Sequence, residues 1–230
     1  MAGRWALILG ADSAMDGSAT PALPGFPRIE SPLFAQLLAE GCFGPYSEAA
    51  KQLQSEGYLL LDLGRERMAE LAERIQADLA GAFDLDAWRA AGAQADLRLQ
   101  DGWRQSPAVR ELALLPELHA LLEQLWGRQP FAFQTLNFPV GTRQHFHSDA
   151  VRFHSEPPGF MCGVWVALED IHPDAGPLEY FPGSHRLPYL QARDVGYHQR
   201  SGDQPDQSLF HPYWRAVVEG QGLELSLIHI

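Results

Sequence analysis

Apolar residues recur at helical spacing through the first half of the chain and at strand spacing through much of the second. Residues 47–56 predict a short helix with Ser47 as N-cap and Gly57 as its stop, and residues 58–63 then predict a buried strand. Met68, Leu71, Ala72, Ile75 and Leu79 share one face of a second helix, while Glu66, Glu70, Arg74 and Asp78 share the other. That division marks a packing helix. Ser106 and Pro107 supply an N-cap and a first-turn proline for a helical stretch that Pro116 interrupts, that resumes to Trp126, and that Gly127 ends.

After Gly127 the pattern changes. Residues 131–140 are rich in aromatic and β-branched side chains, and residues 160–168 alternate. Phe160, Cys162, Val164, Val166 and Leu168 form one face there and Met161, Gly163, Trp165 and Ala167 the other; both are mostly apolar, which predicts a central strand. Helices over 47–127 followed by closely spaced strands from about 130 predict an α+β protein, its helices flanking an antiparallel sandwich or small barrel.

Residues 1–32 are expected to form a flexible or irregular arm, since 11–32 are rich in Ala, Ser, Gly and Pro without an apolar period. The apolar run 5–10 is shorter than the core of a secretory signal, and no run approaches the roughly 18 apolar residues of a membrane span. A single domain over 33–224 follows from the length.

Charge and cysteine content narrow the function. The 29 acidic residues against 17 basic ones give a net charge of -12, which opposes a nucleic-acid partner. Lys51 is the only lysine, so a fixed positive charge that holds an anionic ligand is expected to be an arginine. Cys42 and Cys162 form no CxxC pair and are too few for a disulfide framework, which favours a reducing, cytoplasmic setting.

The chemistry concentrates in Gln144-His145-Phe146-His147-Ser148-Asp149, followed by Arg152 and His154. On a regular strand His147 and Asp149 aim an imidazole and a carboxylate at one point while Ser148 points away. Two histidines and one carboxylate on one octahedral face suit a ferrous ion that must keep positions open, and HxD supplies two of the three. A zinc site that adds His145, or an ordinary His–Asp hydrogen bond, fits the same letters. Trp165 beside Gly163 reads equally as a ligand wall and as core. Residues 174–186 predict a turn, a short strand and a bend presenting Ser184, His185 and Arg186 together.

From HSD through GVWVALED to DAGPLEYFPGSHR, the string resembles the phytanoyl-CoA dioxygenase family of 2-oxoglutarate oxygenases, with a looser likeness over 47–215. The resemblance implies a double-stranded β-helix, or jelly-roll, with His147 and Asp149 binding Fe(II) on its second core strand. It implies that Ser148, Trp165 and His185 surround 2-oxoglutarate. The implied activity is hydroxylation of a small-molecule or acyl-type substrate, using O2 and releasing succinate and CO2.

The family also needs a distal histidine, followed by an arginine for the far carboxylate of 2-oxoglutarate. His198 and His211 lie in a stretch that reads as a loop, His172 reads as a surface residue, and His229 is penultimate, so none is assigned. Residues 225–230 read as a non-native tail, with closing strands and the distal ligands expected beyond residue 224. Two rival classes remain: a non-catalytic jelly-roll binding module, and a zinc-dependent cupin-like hydrolase or isomerase using His145, His147 and Asp149.

Overall fold

The computed structural model describes residues 4–12, 23–93, 97–142, 144–151, 153, 155–197 and 207–228, with the backbone only at 4–12, 151 and 228. In chain order its main elements are β1 (Arg4–Asp12), α1 (Phe34–Ala39), α2 (Ser47–Glu56), α3 (Arg65–Leu79), α4 (Leu85–Ala90), β2 (Leu99–Gln100), α5 (Pro107–Ala113), α6 (Pro116–Trp126), β3 (Gln129–Phe138), β4 (Met161–Ala167), β5 (Leu178–Tyr180), α7 (His211–Gly220) and β6 (Ser226–Ile228).

The predicted helices form, but Ser47 is the first residue of α2 and not its cap, which is Tyr46; the Ser47 hydroxyl donates instead to Gly44 O at 3.0 Å. Gly57 and Gly127 close α2 and α6 with φ of 81° and 75°, a region that glycine enters without the steric clash of a Cβ. Ser106 caps α5 by accepting from Val109 N–H at 3.1 Å, and its own hydroxyl donates to Asp78 on α3 at 2.5 Å. One serine thereby starts a helix and ties it to its neighbour.

The core follows from these helices. Leu71, Ala72, Ile75 and Leu79 of α3 are buried with Val109 and Leu112 of α5 and with Leu118 and Leu122 of α6. Ala132 of β3 and Cys162, Val164 and Val166 of β4 pack against this cluster, so one face of the sheet closes onto the helices. Burial there pushes the Cys162 thiol up to about 12, as fits a packing side chain. A second cluster gathers Ile29, Leu37, Phe43 and Ala50 around Leu121 and Leu125 of α6, and Trp126 touches both clusters.

The sheet order is β2-β3-β1-β4, with every pairing antiparallel. Here the structure departs from the expected arm over 1–32: Arg4–Asp12 is a strand between β3 and β4. A short apolar run reads alike as a signal core or a strand, and only neighbours on both edges decide. A bulge opposite Ile8 and Leu9 skips Phe133, so Ala132, Thr135 and Asn137 align with Leu9, Leu7 and Trp5. Thr135 and Asn137 are consequently buried.

One further expectation changes. Residues 58–63 form no strand, and Leu60 and Leu61 stand 49% and 43% exposed. Residues 226–228, within the segment 225–230, form a strand, β6, that pairs with β5. Among the described residues the strands make a four-stranded and a two-stranded sheet. The α+β character holds, with the helices layered on one sheet face. No helix among the described residues is long and apolar enough to cross a membrane.

Candidate metal centre

Residues 144–148 are not a strand, and Asp149 opens a 3-10 turn, Asp149–Val151. The alternation expected to align His147 with Asp149 is therefore absent, yet the two side chains meet. His147 Nε2 lies 3.3 Å from Asp149 Oδ1.

Packing on both sides of the loop produces this approach. The His145 ring stacks on His211 with centroids 3.9 Å apart and planes 9° from parallel. The Phe146 ring meets Phe181 edge-on at 5.2 Å. Between these contacts and the 3-10 turn, His147 folds back so that its Nδ1 lies 2.7 Å from the His145 carbonyl. A carbonyl oxygen only accepts, so Nδ1 carries a hydrogen and Nε2 is the nitrogen that faces the carboxylate, as a lone pair in the neutral ring and as a second N–H in the imidazolium. A hydrogen bond from the far ring nitrogen is the usual device that orients a metal-binding histidine.

The donor set can be tested against a cation. Two ligand atoms at about 2.1 Å from a metal, with a right angle between them, lie about 3 Å apart. The 3.3 Å separation fits adjacent corners of an octahedron. In the neutral tautomer fixed by the His145 carbonyl, two acceptors face each other, an arrangement that a cation between them relieves. Asp149 is 67% exposed at its side chain and His147 only 22%, so the pair is open on the carboxylate side.

The other predicted residues are placed separately. Ser148 is half-buried within the loop. Trp165 lies on β4, in register with Ala6 and, across β1, with Leu136. A Cβ added at Gly163 would meet nothing within 4 Å, so space is open two residues from Trp165 on the same face of the strand. His185 belongs to a 3-10 turn, Ser184–Arg186, and donates through Nε2 to the Gln54 carbonyl of α2 at 3.1 Å. His145 faces His211 and donates from Nδ1 to the Phe146 carbonyl at 3.0 Å. Among the described residues no group of three His, Cys, Asp or Glu side chains gathers in a metal-binding arrangement. The three-ligand zinc reading through His145 has no such cluster behind it.

His211 is the residue that sequence reading missed. It starts α7, where a loop was expected, and it buttresses the loop of His147 through His145. Phe210, Trp214 and Val218, spaced by four and buried, carry the helical signal, with Pro212 in the first turn. His172 sits at the surface as expected, accepting from Asp174 N–H at 3.1 Å. Arg152, His154, His198 and His229 lie outside the described residues.

Comparison with known proteins now bears on these residues. The family model described as phytanoyl-CoA dioxygenase (PhyH) matches residues 54–216, which run from the end of α2 through His147, Asp149, Trp165 and His185 into α7. Among curated proteins, phytanoyl-CoA dioxygenase domain-containing protein 1 of Bos taurus is 32% identical over 137 residues, covering 54% of this chain and 45% of that protein. The protein of the same name from Mus musculus is 32% identical over 85 residues, covering 34% of this chain and 28% of its own length. The matched region thus spans less than half of these relatives. No solved structure matches. A family match over well more than half of the chain, including both side chains of the His–Asp pair, shows that this protein belongs to the phytanoyl-CoA dioxygenase family.

Proposed function

We propose that the chain is an Fe(II)- and 2-oxoglutarate-dependent oxygenase that hydroxylates a small-molecule or acyl-type substrate. The observation that carries this reading is the His147–Asp149 pair, held 3.3 Å apart with the His147 tautomer fixed by the His145 carbonyl. Membership of an oxygenase family supplies the choice of iron over other divalent ions. On this reading the two small sheets belong to a cupin-like jelly-roll.

His147 and Asp149 would hold the metal. When bound, iron and 2-oxoglutarate supply the oxidising equivalent from O2, with succinate and CO2 as by-products. The chain's own residues do the rest. The His145 carbonyl holds the His147 Nδ1–H and so aims Nε2 at Asp149. The exposed side of Asp149 leaves an approach for small ligands. Ser148, within the same loop, and Trp165, with open space beside Gly163, are the side chains proposed to line the cosubstrate. The free thiols Cys42 and Cys162 are consistent with work in a reducing, cytoplasmic compartment.

The test is anaerobic titration of the protein expressed from its full reading frame with Fe(II) and 2-oxoglutarate, followed by addition of O2. A weak visible charge-transfer band, followed by succinate formation, is the expected result. Neither band nor succinate would refute the oxygenase and favour a non-catalytic binding module. Tight zinc with no 2-oxoglutarate turnover would favour a hydrolase or isomerase instead.

A further inference from the structure

The last carbonyls of a helix have no partner within it and need donors from elsewhere. At the end of α2 those donors come from residues 180–186, far along the chain. Gly183 N–H donates to Glu56 O at 2.9 Å and Tyr180 O–H to Gly57 O at 3.2 Å. Arg186 Nη2 donates to Gln54 O at 2.8 Å, with the Gln54 side-chain oxygen at 3.3 Å. His185 Nε2 reaches the same Gln54 O at 3.1 Å.

Because that carbonyl only accepts, His185 carries its hydrogen on Nε2, and Nδ1 is left as an acceptor. Nδ1 is buried without a partner and lies against Gly57, where an added Cβ would stand 2.2 Å from it. One nitrogen is committed to α2 and the other is sealed against it.

We infer that His185 is a positioning residue that docks the bend at residues 183–186 onto the C-terminus of α2, and that protonation of its Nδ1 releases the bend. Protonation would place a new N–H at a buried atom that has no hydrogen-bond partner in this packing, on a charged ring, so that the ring or its neighbour Tyr180 must move to satisfy it. Burial lowers the pKa of the imidazole; the bond to Gln54 raises it, Arg186 lowers it and Glu56 raises it. Tyr180, raised by burial, stays neutral through the same pH range. Glu56 of α2, Tyr180 of β5 and Arg186 of the bend are the titratable and charged groups set against His185 among the described residues. The inference concerns how one motif is held and does not depend on the oxygenase reading.

Hydrogen exchange on the full chain, read by mass spectrometry over residues 54–58 and 180–187 and corrected for intrinsic rates, tests the latch. In the unaltered chain, exchange of these peptides should rise by about tenfold as pH falls below about 6.5. His185→Gln keeps a donor for the Gln54 carbonyl and loses the titration, so it should stay protected and flat with pH. His185→Leu should be open at every pH. Equal protection in the unaltered chain and His185→Leu above about pH 7, or the same acid opening in His185→Gln, overturns the proposal. Should a substituted chain fail to fold, nitrogen chemical shifts of His185 in the unaltered chain decide. An Nε2–H tautomer with a depressed midpoint supports the latch, and an Nδ1–H tautomer or an ordinary midpoint overturns it.

Discussion

Gly57→Ala isolates the junction between α2 and the bend at residues 183–186. Gly57 has φ 81° and ψ 4°, and a Cβ there would lie 2.2 Å from His185 Nδ1 and 2.5 Å from Tyr180 Oη. Forcing alanine into the left-handed region costs about 1–2 kcal/mol. The Cβ also displaces the His185 ring and the Tyr180 hydroxyl, so the bonds to Gln54 O and Gly57 O are lost at about 0.5–1.5 kcal/mol each. The sum is about 2–5 kcal/mol.

Gly196→Ala is the matched control. Its φ of 76° and ψ of 13° are close to those of Gly57, but a Cβ there meets nothing within 4 Å. It should lose only the backbone part, about 1–2 kcal/mol. Urea denaturation followed by tryptophan fluorescence measures both. A gap of 1 kcal/mol appears as a midpoint difference of roughly 0.5 M at a slope near 2 kcal/mol/M. In a His185→Ala background the extra loss at Gly57 should shrink, because the ring that the Cβ strikes is gone. Equal losses at Gly57 and Gly196, or no shrinkage in the double variant, would refute this account of the junction.

Further predictions rest on separate observations. Ser106→Ala removes the α5 cap and the bond to Asp78, and should lower stability by about 1–2 kcal/mol by the same denaturation measurement; a change under about 0.3 kcal/mol counts against the cap. Asp149→Ala should weaken Fe(II) binding by more than about a hundredfold in anaerobic calorimetry, since loss of even an outer partner of a metal ligand weakens binding by about 10–100-fold. Unchanged affinity would remove Asp149 from the site. The depressed imidazole of His185 makes folding bind fewer protons than unfolding does. Stability from this group is full above the unfolded value near 6.5, and falls with pH from there through the folded value. Urea midpoints across that window should drop with acid in the unaltered chain and drop less in His185→Gln.

The helices were legible because their determinants are local. Ser106 and Pro107 start α5, Gly127 ends α6, and the Leu71–Ile75–Leu79 spacing identifies the buried face of α3. The letters HSD, the Trp165 strand and the bend at His185 are also local strings, and they sufficed to place the chain in its family. Strand membership was not legible at residues 4–12 or 58–63, since both are short apolar runs, and only the first finds edges on β3 and β4. The chain by itself determined which side chains are candidates for the chemistry. Tertiary packing decided how they meet: His147 and Asp149 converge through a folded-back loop pinned at His145 and Phe146, not through strand alternation. It also decided that His185 faces α2. Hydrogen bonds and ring contacts spanning scores of residues set both outcomes, and neither periodicity nor spacing encodes which distant partner a side chain will find.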